Sequence, residues 1–90
     1  MKKVFPSGQY KKDYKRYRNQ PKKLKALGEI IDKLVNDEPI PAEYSPHMLH
    51  GDYKGCMVCH IQGDFLLIWI DKLNDIVELV RLGSHCELFG

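Results

Sequence analysis

Apolar residues recur at helical spacing along the first third of the chain. Tyr10, Tyr14 and Tyr17 fall four and three apart, with Lys11, Lys12, Lys15, Arg16 and Arg18 on the other faces. That period predicts a helix from Ser7, a good N-cap after Pro6, to about Arg18. Ahead of it, Lys2 to Phe5 reads as a short strand. Pro21 breaks the segment and suits the first turn of a second helix, where its missing N–H costs nothing. Leu24, Leu27, Ile31 and Leu34 then repeat at three, four and three, predicting a helix over Pro21 to Val35 with one core-facing stripe. Helices this close in sequence suit an antiparallel hairpin.

Asn36 to Pro46 holds prolines at 39, 41 and 46 and reads as an extended connector. Beyond it the pattern turns to strands. Gly51-Asp52 and Lys54-Gly55 are turn-like. Met57 to Gln62 predicts a strand, and Gly63-Asp64 a hairpin turn. Phe65 to Ile70 is apolar on both faces, as in a central strand. Asp71 to Asp75 is a polar turn, Ile76 to Leu82 a further strand ending at Gly83, and Ser84 to Gly90 a short helical turn. The expected class is α+β: two N-terminal helices packed on a small antiparallel sheet, as one domain over residues 1–90.

Composition narrows the setting. The hydrophobic share of 43% is ordinary for a globular chain, so disorder is not expected. The longest apolar run, Phe65 to Ile70, is too short to span a bilayer. The polar stretch after Pro6 leaves no secretory apolar region, which points to the cytoplasm. Three cysteines, an odd number, fit free thiols in a reducing compartment. Charge is divided sharply. Residues 1–36 carry eleven Lys or Arg against three Asp or Glu, net +8, and residues 37–90 carry three against nine, net −6. A polyanion-binding first half would look like this, and so would two helices with solvated, Lys-rich outer faces.

The candidate chemistry lies in the second half. All four histidines fall between positions 47 and 85, together with Asp52, Lys54, Asp64 and Arg81. His60 lies late in one predicted strand, Asp64 in a hairpin turn, Arg81 near the end of another strand, and His85 four residues later. Side chains at strand ends and turns of one sheet can converge. By strand parity Val77, Leu79 and Arg81 share a face, so Arg81 is expected to extend an inward apolar row. An arginine snorkelling from the core edge is the plainer alternative. Metal-free RNA cleavage needs a base for the 2′-hydroxyl, an acid for the leaving 5′-oxygen and a cation for the phosphorane. Histidine, with an unperturbed pKa of ~6.5, suits the proton transfers. The arginine fork suits the phosphate. A rival reading is zinc, since Cys56, Cys59, His60, His85 and Cys86 are all possible ligands. Cys56 and Cys59 have opposite strand parity, however, and no second CxxC is present.

The order of these residues resembles the YafQ-type branch of the RelE/ParE superfamily, the ribosome-dependent mRNA-cleaving toxins of bacterial toxin–antitoxin pairs. The resemblance covers Ser7-Gly8-Gln9-Tyr10-Lys11-Lys12-Asp13, Pro39-Ile40-Pro41, His47-Met48-Leu49-His50-Gly51-Asp52-Tyr53-Lys54-Gly55 and Cys59-His60-Ile61-Gln62-Gly63-Asp64-Phe65-Leu66-Leu67-Ile68-Trp69. Its most specific part is Arg81-Leu82-Gly83-Ser84-His85-Cys86-Glu87-Leu88-Phe89-Gly90. It implies a microbial-RNase-like RelE fold and cleavage of mRNA in the ribosomal A site, without a cofactor or metal. It also implies a cognate antitoxin in a hetero-oligomeric complex, and contact with ribosomal RNA through the basic helices. By position it implies His60 and His85 in proton transfer, Asp64 orienting a histidine, and Arg81 on the phosphate. His47 would contact the phosphate or assist proton transfer, and Phe89 would stack on a base. Lys54, not among the positions carried over, is a further candidate for substrate contact. One departure stands out: a polar pair, often Arg and an acid, is usual where this chain has Met57 and Val58. The competing functions are a non-catalytic ParE-like toxin that acts by binding and a zinc-stabilised nucleic-acid-binding module.

Overall fold

The structure is a computed structural model describing residues 1–90. β1 (Lys3–Pro6) ends at Pro6, and α1 (Gly8–Lys15) follows at once. Ser7 caps it, its hydroxyl accepting from the Tyr10 N–H at 3.0 Å. α1 stops earlier than expected. Arg16 and Tyr17 bond back to Asp13 and Tyr14, tightening the chain into turns before Pro21. α2 (Pro21–Val35) has the expected bounds, with Pro21 at its start. Its buried face is Leu27, Ile30 and Leu34, with Leu24 and Ile31 at the margin. The connector holds one 3-10 turn at Ala42–Tyr44 and leads into β2 (His47–Met48). A second 3-10 turn, Gly51–Tyr53, precedes β3 (Met57–His60). β4 (Leu66–Lys72), β5 (Ile76–Gly83) and α3 (His85–Phe89) complete the chain.

The sheet order is β1-β5-β4-β3-β2. β2 through β5 are antiparallel, as expected, but β1 lies parallel to β5 at one edge. A parallel neighbour needs a long crossover, and the intervening chain with α1 and α2 supplies it.

The helices bury Tyr10, Tyr17, Leu27, Ile30 and Leu34 against Cys59, Leu67, Trp69, Val77, Leu79 and Leu82 on one face. Leu66, Ile68 and Val58 face the other way, where Leu88 of α3 covers them. The central strand is therefore apolar on both sides for a reason.

Two expectations change. Tyr14 does not share the buried row of α1, being 39% exposed, and Asp13, fully buried, takes its place between Tyr10 and Tyr17. The parity of β5 also breaks. Ile68 opposes Arg81 but Trp69 opposes Leu79, so Val80 is an extra, unpaired residue. This bulge rotates the strand after Leu79. Leu82 returns to the helix-side core, and Arg81 passes to the opposite face instead of extending the row of Val77 and Leu79.

Candidate active site

The face of the sheet away from the helices gathers most of the candidate residues. One row runs across four strands: His47 opposes Val58, Val58 opposes Ile68, and Ile68 opposes Arg81. The next row on the same face is His60, Leu66 and Gly83. Directly opposed residues share a face, so the strand pairing itself brings His47, His60 and Arg81 to one surface. Without the bulge, Arg81 would point into the helix-side core.

The aromatic rings form a continuous line. His47 and His60 centroids are 6.2 Å apart, His60 and His85 5.4 Å, and His85 and Phe89 5.7 Å. Tyr53 meets Phe89 edge-on at 5.7 Å. Its hydroxyl accepts from Arg81 Nη1 at 3.2 Å and donates to the Leu88 carbonyl at 3.2 Å. Phe89 is 45% exposed, leaving much of its ring free to stack on a base.

Hydrogen bonds orient two of the imidazoles. Asp64 Oδ1 accepts from both the His85 backbone N–H and His85 Nδ1, each at 3.0 Å. These bonds lower the Asp64 pKa, the backbone one most. A carboxylate only accepts, so Nδ1 of His85 carries a proton and Nε2 is the nitrogen left to exchange one with substrate. His47 Nδ1 likewise donates to the Ser45 carbonyl at 2.8 Å, which frees its Nε2.

Arg81 is held from behind. Nε donates to Asp13 Oδ2 at 2.8 Å and Nη2 to Oδ1 at 3.3 Å. Asp13 Oδ2 also accepts the Leu82 N–H at 3.1 Å, and Oδ1 accepts from Gln9 Nε2 at 3.2 Å. Burial pushes the Asp13 pKa up, but the bonds from Arg81, Leu82 and Gln9 outweigh it and the net shift is downward. The same pairing raises the Arg81 pKa, with the Asp13 hydrogen bond as its largest cause. The side of the fork formed by Nε and Nη2 is thus committed to Asp13. Any phosphate must be met by the remaining N–H groups at the far end of the guanidinium.

His47, His60, Asp64, Arg81, His85 and Phe89 therefore lie around one surface. Lys54 is exposed in the loop after Tyr53, and no ion pair ties its ammonium to the others. Met57 and Val58 serve packing: Met57 leans on the helix-side core, and Val58, paired across the strands with His47, is buried with Leu66, Ile68 and Leu88. Cys56 and Cys59 belong to opposite faces, so the paired-thiolate ligand set weighed from the sequence does not form. Burial pushes the Cys59 thiol up to about 12.

Asp13 and Tyr53 were not among the candidates read from the sequence. Asp13 carried a signal there, as an acid four before Tyr17 and three after Tyr10, on a stripe that packs inward. Tyr53 carried none, because its role depends on contacts 28 and 35 residues away.

A family profile described as "Bacterial toxin of type II toxin-antitoxin system, YafQ" matches residues 2–90. The chain belongs to the YafQ toxin family. It is 38% identical over 86 residues to the mRNA interferase toxin YafQ of Escherichia coli strain K12, covering 93% of this chain and 91% of that one. The crystal structure of YafQ from E. coli strain BL21(DE3) superimposes with a TM-score of 0.88 at 30% identity, covering all of both chains. YafQ in a crystal structure of the E. coli DinJ-YafQ complex superimposes with a TM-score of 0.86 at 31% identity, again over both whole chains. YafQ membership carries the RelE-like fold expectation with it.

Proposed function

We propose that this YafQ-family toxin is an mRNA interferase that cleaves mRNA in the ribosomal A site by acid–base transesterification, and that a cognate antitoxin neutralises it. The observation that carries the reading is the line of rings His47, His60, His85 and Phe89, with Asp64 behind His85 and Arg81 alongside. One histidine of the His60–His85 pair takes the 2′-hydroxyl proton. The 2′-oxygen then attacks phosphorus, the bond to the 5′-oxygen breaks, and the other histidine protonates that oxygen. The products are a 2′,3′-cyclic phosphate and a 5′-hydroxyl. Asp64 holds the tautomer of His85, and the free end of Arg81 meets the charge growing on the phosphorane. His47 and Lys54 bind phosphate, and Phe89 stacks on a base. Side chains supply every part of this reaction, so no step calls on a metal.

The whole chain acts as one domain in this reading. Its first 36 residues, net +8, face ribosomal RNA. The work is cytoplasmic, where ribosomes are, and no helix is long and apolar enough to cross a membrane. The E. coli DinJ-YafQ complex supports an antitoxin as the natural partner.

The test is expression from a tightly controlled promoter without an antitoxin, with transcript ends mapped by primer extension. Growth arrest with cleavage at in-frame positions is expected, and His85→Ala should abolish both. Intact mRNA in arrested cells would defeat the reading.

A further inference from the structure

α3 has five residues, too few to hold a helix unaided. Yet its first residue, His85, and its last, Phe89, are both assigned to the RNA above. Its placement has to be imposed by contacts. On one side Leu88 is buried and the Tyr53 hydroxyl donates to its carbonyl. On the other stands Glu87. Its Oε1 accepts the Ser84 N–H at 2.9 Å, closing a capping box, and also accepts the Tyr17 hydroxyl at 2.5 Å. Its Oε2 accepts from Arg16 Nη1 at 2.9 Å. Tyr17 is itself fixed, buried with its ring 4.7 Å from that of Phe65.

A capping box needs only residues of α3 and its cap. The bonds from Arg16 and Tyr17 come from about seventy residues away and do more than cap. Asp13, Arg16 and Tyr17 are spaced at i, i+3 and i+4. One edge of the first helical segment therefore holds both Arg81, through Asp13, and α3, through Glu87. Gly83 permits the approach, since a Cβ there would lie 2.8 Å from Glu87 Oε1.

We propose that Glu87, clasped by Tyr17 and Arg16, is a positioning residue for the cleavage reaction, fixing α3 so that His85 and Phe89 meet the RNA in a single geometry. It rests on the roles given to His85 and Phe89 above, and Glu87 itself does not touch RNA. The Tyr17 hydrogen bond, with those of Ser84 and Arg16, holds the Glu87 pKa down at about 2. The clasp is therefore closed across the neutral range.

The test is steady-state cleavage of mRNA on purified ribosomes by wild type, Glu87→Ala, Glu87→Gln, Tyr17→Phe and His85→Ala, with rates per folded molecule below each Tm. Glutamine keeps an oxygen at Oε1 for Ser84 and Tyr17, while its Nε2, a donor only, gives up both the charge and the hydrogen bond facing Arg16. Glu87→Ala should lower kcat about tenfold to a hundredfold with KM within about twofold, as misplacement of reacting groups does. Glu87→Gln should stay within about threefold of wild type, and Tyr17→Phe should fall between the two. A merely structural role would lower Tm and leave the rate per folded molecule unchanged. Wild-type kcat in Glu87→Ala overturns the clasp, and so does Glu87→Gln as slow as Glu87→Ala. If Glu87→Ala does not fold, wild-type kcat in Tyr17→Phe overturns it. An active His85→Ala would instead overturn the reading of the site itself.

Discussion

Asp13→Ala removes the one carboxylate buried completely in this protein. Two costs follow. The Leu82 N–H loses its acceptor inside the molecule, and an unsatisfied buried donor costs ~1–3 kcal/mol. Arg81 keeps its charge without a counter-charge, and breaking a buried pair from one side costs ~3–5 kcal/mol. The Arg81 side chain is 19% exposed, so water answers part of the second cost. The two costs overlap in one site, and the expected loss is about 3–4 kcal/mol. For a domain of this size each kcal/mol moves Tm by ~4–8 °C, so a fall of at least about 12 °C is expected. Urea titration should show a lower midpoint with an unchanged m-value. A double-mutant cycle with Arg81→Met isolates the pair, and the double variant should be less destabilised than the sum of the singles. The acid side gives a second measure. The Asp13 pKa is lowered on folding from 3.8, so its contribution is whole above that value and fades as pH falls through the folded one. The stability gap between wild type and Asp13→Asn should therefore narrow below that pH. A loss under about 1 kcal/mol for Asp13→Ala, or strict additivity in the cycle, would refute the clamp.

Three further outcomes are expected. Phe89→Ala should raise KM for the ribosome–mRNA complex by about tenfold while Tm moves little, since the ring is half exposed and its stacking on a base is worth ~1–3 kcal/mol. Trp69→Phe should cost less than about 2 kcal/mol by urea unfolding, because the indole N–H is buried with no acceptor and its removal offsets part of the lost volume. Iodoacetamide followed by mass spectrometry should mark exposed Cys86 first and Cys59, whose thiol is buried and pushed up to about 12, only on unfolding.

Local pattern was enough for most elements. The bounds of α2, the Ser7 cap, the centrality of β4 and the final helical turn follow from spacing, capping chemistry and strand hydrophobicity, all properties of neighbours in the chain. The candidate residues were legible by type and by family resemblance, because their order along the chain carries that information. Three matters required the tertiary structure. β1 chose β5 as a parallel partner, Val80 bulged, and Asp13 replaced Tyr14 in the buried row. The first and third join groups some seventy residues apart, and the bulge is a register shift between β4 and β5, so neither periodicity nor propensity reaches them. The bulge matters most. Parity alone sends Arg81 toward the helices, whereas one unpaired residue sets it in a row with His47 across four strands. Sequence by itself determined which chemical groups this protein owns and the elements that carry them. The register of the sheet decided which of those groups share a face, because a shift of one residue exchanges the two sides of a strand.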